Sequence, residues 1–180
     1  MTRSFLVPLS AVSLVAVALS ACGSTPEGPR VTCPDVLLER STADLVVFRD
    51  GPGRDLTDVV YEARLGGYTG DCTPAKDRTS VELSVQPTFM ISKGPAWSGT
   101  TGTFSYFVAI PAFYPAPEGK KVYSVPFAFP PGNATSVVVR DEKVLLDIPV
   151  AAGRTKPPPV YLGFQLTPGQ LEYNRTAGGR

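Results

Sequence analysis

The residue types able to do chemistry in this chain are few. There are three cysteines, Cys22, Cys33 and Cys72, and no histidine in 180 residues. Without an imidazole, a Ser–His–Asp triad or a Cys–His pair lacks the base that works near neutral pH. A Ser–Lys mechanism needs a serine poised beside a lysine. Ser92 next to Lys93, and Ser124 near Lys120 and Lys121, are the nearest combinations, and neither sits in a recognisable motif. No catalysis and no cofactor are expected. Asp50, Asp55, Asp58 and Asp71 offer the oxygen ligands that Ca²⁺ favours. Their spacing matches no calcium loop, and the local reading is that they cap turns by accepting backbone N–H bonds. Aromatic residues crowd between positions 89 and 129. Most belong in a core. Trp97, Phe113 and Tyr114 fall in loops, where they either pack locally or form a surface for a partner or ligand.

The N-terminus supplies an address. Residues 1–4 carry one charge, Arg3, and residues 5–19 are apolar apart from Ser10 and Ser13. Small residues then lead into Cys22. A basic start, a short apolar run and a small-residue exit make a secretory signal. A spanning helix needs about 20 apolar residues. This run is shorter, contains Pro8, and is followed by no basic stop-transfer cluster. Leu19-Ser20-Ala21-Cys22 resembles the lipobox of bacterial lipoproteins, whose cysteine is lipidated and becomes the mature N-terminus. The resemblance implies that residues 1–21 are a cleaved signal peptide and that Cys22 carries lipid. Gly23, standing where Asp would retain the protein in the inner membrane, implies the inner leaflet of the outer membrane, facing the periplasm. Residues 22–32 read as a flexible tether, rich in small residues, Pro and Gly. Ten such residues reach roughly 17 Å on average, and about 35 Å when fully stretched.

With Cys22 taken by lipid, Cys33 and Cys72 remain. In an oxidising compartment two cysteines most simply pair. Structural zinc is the alternative, and it wants four ligands where this chain offers two thiols and no imidazole. The chain carries 17 basic and 16 acidic residues. Such balance offers no basic field to nucleic acid.

The pattern that must position these residues is β. Proline and glycine number 19 and 17, and they punctuate many short apolar runs. Strands are expected at 36–38 and 45–48, then at 59–65 with period two, ending at Gly66-Gly67 near Cys72. Val81, Leu83 and Val85 alternate with polar residues, and Pro87 is expected to limit that strand. Lys93-Gly94-Pro95 marks a turn. Residues 103–110 are apolar enough for a central strand. In 121–129, Tyr123, Val125, Phe127 and Phe129 share a face, and Pro126 makes it an edge or bulged strand. Residues 136–139 and 143–148 form either a strand pair or one bent strand, and 160–166 the last strand. Thr167, Pro168 and Gln170 then open a short helix through a capping box. Lys156 and the three prolines after it read as a rigid connector.

Seven to nine short strands with turn signals between them predict an all-β fold, an immunoglobulin-like antiparallel β-sandwich with a short C-terminal helix. A small closed barrel is the runner-up. One domain is expected over 33–175, with a disordered tail at 176–180. Cys33-Pro34, the stretch Gly53-Arg54-Asp55-Leu56-Thr57-Asp58-Val59, Cys72, and the ending from Gly163 to Pro168 with Gln170, Leu171, Tyr173 and Asn174 resemble a family of uncharacterised proteobacterial lipoproteins with an immunoglobulin-like domain. The resemblance implies fold and address and no activity. The functional expectation is a non-enzymatic, lipid-anchored envelope protein that binds another envelope protein as an accessory subunit. The alternative is a small-ligand module for glycan or lipid, using Trp97, Phe113 and Tyr114.

Overall fold

The structure, a computed structural model, describes residues 30–177. The lipobox, Cys22 and most of the tether lie outside the described residues. Nine strands and one α-helix are found among the described residues, together with four short 3₁₀ turns. Strands β1 (Val36–Leu38), β2 (Asp44–Phe48), β3 (Val59–Pro74) and β4 (Ser80–Lys93) come first. They are followed by β5 (Thr101–Ala109), β6 (Lys120–Ala128), β7 (Ser136–Arg140), β8 (Val144–Pro149) and β9 (Val160–Phe164). Helix α1 (Pro168–Ala177) closes the described chain. The four-stranded sheet runs β1-β9-β5-β6. The five-stranded sheet runs β2-β3-β4, with β7 and β8 both on the far side of β4. Apart from the parallel β1–β9 pair, every pairing is antiparallel. This is the immunoglobulin-like sandwich expected from the pattern.

Period-two alternation builds the core. Val59, Tyr61, Ala63 and Leu65 face inward from β3, and Val81, Leu83, Val85, Phe89 and Ile91 from β4. From the other sheet come Phe104, Tyr106, Val108, Val125, Phe127, Val160, Leu162 and Phe164. Phe89 is fully buried and bridges the layers. Its ring lies 4.7 Å from Phe104, 5.1 Å from Tyr106 and 5.5 Å from Phe164.

Two long strands depart from expectation. β3 does not end at Gly66-Gly67. It steps register between Leu65 and Gly67 and continues to Pro74. Gly67 sits at φ 144°, a backbone state that side chains oppose. β4 likewise runs straight through Pro87. Asp141 N donates to Pro87 O (3.2 Å), so Pro87 occupies the position that should donate back to the Asp141 carbonyl. Proline has no N–H to give. The Gln86 side chain supplies one instead, Nε2 donating to Asp141 O at 2.8 Å. A ladder bond is replaced by a neighbouring amide, and the strand survives.

The two readings of 136–148 are also decided. β7 and β8 do not pair with each other. They lie end to end along β4, against its second and first halves. The helix opens through the expected box: Thr167 N donates to Gln170 Oε1 (2.9 Å) and Gln170 N to Thr167 Oγ1 (3.3 Å). It continues to Ala177, so residues 176 and 177 are helical where a tail was expected. Its Asn174 donates to the carbonyls of Asp44 (2.7 Å) and Ser41 (3.1 Å), and Tyr173 packs on Phe48 at 5.2 Å.

Candidate functional site

The three loop aromatics do not share a surface. Trp97 lies before β5 and Phe113 and Tyr114 after it, at opposite ends of a nine-residue strand. Such a strand is about 30 Å long. No single glycan or partner surface is built from the three together.

Trp97 belongs to the end where β3 begins. Gly94 N donates to Val60 O and Ala96 N to Val59 O, both at 2.8 Å, and these bonds tie the expected Lys93-Gly94-Pro95 turn down. Trp97 then folds over the corner of the sandwich, half-buried. Its ring lies 4.9 Å from Phe129, 5.8 Å from Phe127 and 6.0 Å from Tyr61. Tyr61 donates to Thr103 O at 2.8 Å, and burial pushes its phenol up to about 12. Lys93 Nζ sits 4.8 Å above the Phe129 ring.

The carboxylates at this end are local caps. Asp55 Oδ1 accepts from Thr57 N (2.7 Å) and from the Thr57 hydroxyl (2.6 Å), which holds the Asp55 carboxyl below its ordinary value. Asp58, 3% exposed, accepts from Asp55 N and pairs with Arg49 at 2.5 Å. Asp71 lies near the other end of β3, with Lys143 at 3.9 Å. Asp50 is exposed on the 49–58 loop. The four do not converge, and no metal-ligating group of three is found among the described residues.

The opposite end holds the disulfide. Cys33 and Cys72 are bonded, with Cα atoms 6.0 Å apart. The bridge clamps the segment before β1 to the end of β3. Thr32 N donates to Thr155 O (2.7 Å), and Lys156 Nζ reaches both Asp35 oxygens at 2.8 Å. Val150 N donates to Thr79 O (2.8 Å), tying the β3–β4 turn to the same cluster. The β5–β6 loop belongs here too, because Ala109 pairs with both Lys120 and Tyr161. That loop is two 3₁₀ turns, Pro111–Phe113 and Pro117–Gly119. Phe113 N bonds Ile110 O, Tyr114 N bonds Pro111 O, and Ala116 N bonds Phe113 O. Gly119 lies under Tyr114, where a Cβ would stand 3.0 Å from its nitrogen. Phe113 packs on the core, whereas Tyr114 is 83% exposed.

A third feature escaped the sequence reading. Between β6 and the β7–β8 edge lies a cleft of about 730 Å³, lined by Tyr106, Tyr123, Pro126, Arg140, Asp141 and Lys143 among others. The Tyr106 hydroxyl donates to Asp141 Oδ2 at 2.8 Å, and the Tyr123 ring stacks on Tyr106 at 5.2 Å. Burial, and then the Asp141 bond, pushes the Tyr106 phenol far above its ordinary value. Burial and the Asp141 charge raise that of Tyr123. No sequence spacing signals it, because Tyr106 and Asp141 lie 35 residues apart.

Two of the lysines beside serines lie over aromatic rings. Lys93 is engaged with Phe129, and Lys120 Nζ lies 4.5 Å over the Phe107 ring. No family model, no curated protein and no solved structure matches this chain.

Proposed function

We propose that the chain is a lipid-anchored, non-enzymatic envelope protein whose open side receives an extended segment of another envelope protein. The anchor is the lipid on Cys22, and the location is the inner leaflet of the outer membrane, facing the periplasm. The observation that carries the binding role is the contrast between the two sides of the sandwich. On one side β2 is covered by α1, and β1 is three residues long with its Val36 carbonyl met by the Tyr68 hydroxyl (3.3 Å). On the other side, among the described residues, β6 pairs only with β5.

The register says which groups β6 leaves open. Ile110 N donates to Gly119 O, so alternate pairs down the ladder place Lys120, Val122 and Ser124 with N–H and C=O directed outward. Pro126 falls on the same outward set, where its missing N–H ends the open stretch without harming the fold. An extended peptide adds a strand to such an edge through its main chain, and the adjoining cleft receives its side chains. A photo-crosslinking residue at Ser124 in native membranes tests this. It is expected to capture an envelope protein that the same residue at Leu56, exposed at the far end, does not. Equal capture from both positions, or none from Ser124, removes the reading.

A further inference from the structure

We infer that the end of the sandwich bearing the tether is a membrane-contacting face that rests on anionic lipid headgroups; this builds on the reading of Cys22 as lipid-anchored. The loops at that end carry Arg30, Lys76, Arg78, Arg154 and Lys156, and Lys120 and Lys121 begin β6 beside them. Against these stand Asp35, Asp77 and Glu118. The opposite end is balanced, with Arg49, Arg54 and Lys93 against Asp50, Asp55 and Asp58. A chain of nearly neutral total charge has therefore gathered its excess of cations at one end.

Tyr114 is the second component. It is 83% exposed on a loop whose own backbone bonds hold it rigid. A tyrosine ring with its hydroxyl suits the boundary between headgroups and acyl chains. Basic residues beside it add attraction to an anionic leaflet, effective within a Debye length of about 8 Å. The acidic side chains Asp71, Glu82 and Asp147 lie on the outer face of the five-stranded sheet. Glu82 and Asp147 are set back about 7 Å from the rim, two residues along their strands.

Reach selects lipid as the occupant. The described chain becomes fixed at Thr32, ten residues after Cys22. Ten residues span at most about 35 Å. The sandwich is longer, since the fourteen residues of β4 measure about 45 Å. A leash shorter than the body holds the tether end within about 35 Å of the surface to which it is tied and turns that end, more than the far end, toward the lipid.

The test uses the mature protein in vesicles of phosphatidylethanolamine, alone or with phosphatidylglycerol, containing brominated acyl chains that quench tryptophan. Native Trp97 reports the far end, and Tyr114→Trp adds a reporter at the tether end. With anionic lipid, the emission at position 114 is expected to fall by about half while that of Trp97 is unchanged. High salt, or Lys76→Glu with Arg154→Glu, is expected to restore it. The mass of the N-terminal peptide reports separately whether Cys22 carries lipid. If it does and position 114 is unquenched, or quenched equally without anionic lipid, the face proposal falls and the anchor stands. If it does not, the anchor reading falls. Sedimentation with anionic vesicles then decides the face by itself: binding supports it and no binding overturns it. Charge reversal that abolishes capture of a protein but leaves the quenching intact assigns the face to that protein and overturns the proposal.

Discussion

The two ends of the sandwich are built from the same material, loops between strands, yet they spend their side chains in opposite ways. At the far end the aromatic is turned in. Trp97 lies against Phe127, Phe129 and Tyr61, and the carboxylates of Asp55 and Asp58 are consumed by backbone amides and Arg49. At the tether end the aromatic is turned out. The 110–119 loop satisfies itself through its own backbone bonds, which leaves Tyr114 with nothing to hold and most of its surface in solvent. The difference teaches how to separate a stabilising aromatic from an available one. Both sit in loops, and both have a proline within two residues. What distinguishes them is whether a neighbouring strand end offers a surface to cover.

The comparison breaks first at the disulfide. Cys33→Ala removes a bridge with a sequence separation of 39 and should destabilise the protein by about 4 kcal/mol on the chain-entropy model. Denaturant midpoints with and without reductant measure this. An unchanged midpoint means that the tether end is held by its hydrogen bonds alone. Next is Trp97→Ala, expected to cost about 3 kcal/mol because three rings lose a partner. A thermal melt no different from wild type places Trp97 among the available aromatics and erases the contrast.

Tyr106→Phe should cost about 1 kcal/mol, the worth of one hydrogen bond to a carboxylate that keeps access to water. The same group predicts behaviour in alkali. The phenols of Tyr61, Tyr106 and Tyr123 all lie above their ordinary value of 10.0 in the folded protein. Their contribution to stability is therefore whole below that pH and is lost as pH rises, through about 12 for Tyr61. The difference between absorbance titrations of the wild type and of Tyr106→Phe isolates the Tyr106 phenol, which should ionise only well above pH 10. A difference signal near pH 10 in the folded protein contradicts its burial. The smallest effect is Tyr114→Ala, less than about 0.5 kcal/mol on stability. A loss comparable to that of Trp97→Ala makes Tyr114 a packing residue, and with it the membrane face loses its aromatic.

Much of the fold was legible because it depends on near neighbours. Val59, Tyr61, Ala63 and Leu65 alternate because β3 has a wet face and a dry one. The capping box at Thr167 and Gln170 reads directly from a spacing of three. Pro87 was misread for the converse reason. A proline in a strand is judged by its missing donor, and the donor that replaces it comes from a side chain reaching across to the next strand. The tyrosine–carboxylate cleft was invisible for the same cause: Tyr106 and Asp141 are 35 residues apart, and neither spacing nor composition joins them.

What the sequence determined by itself were the strands, the cysteine pair and the helix start, since alternation, residue count and local hydrogen-bonding geometry act over a few residues or through composition. What only the tertiary structure decided was company. Trp97 and Tyr114 look alike in the chain, yet strand β5 sends them to opposite ends. Arg30, Lys76, Lys120 and Arg154 are scattered along the chain, and the order in which nine strands pair gathers them at one end. The physical reason is that strand order is selected by the joint burial of two sheets. No local window contains that information.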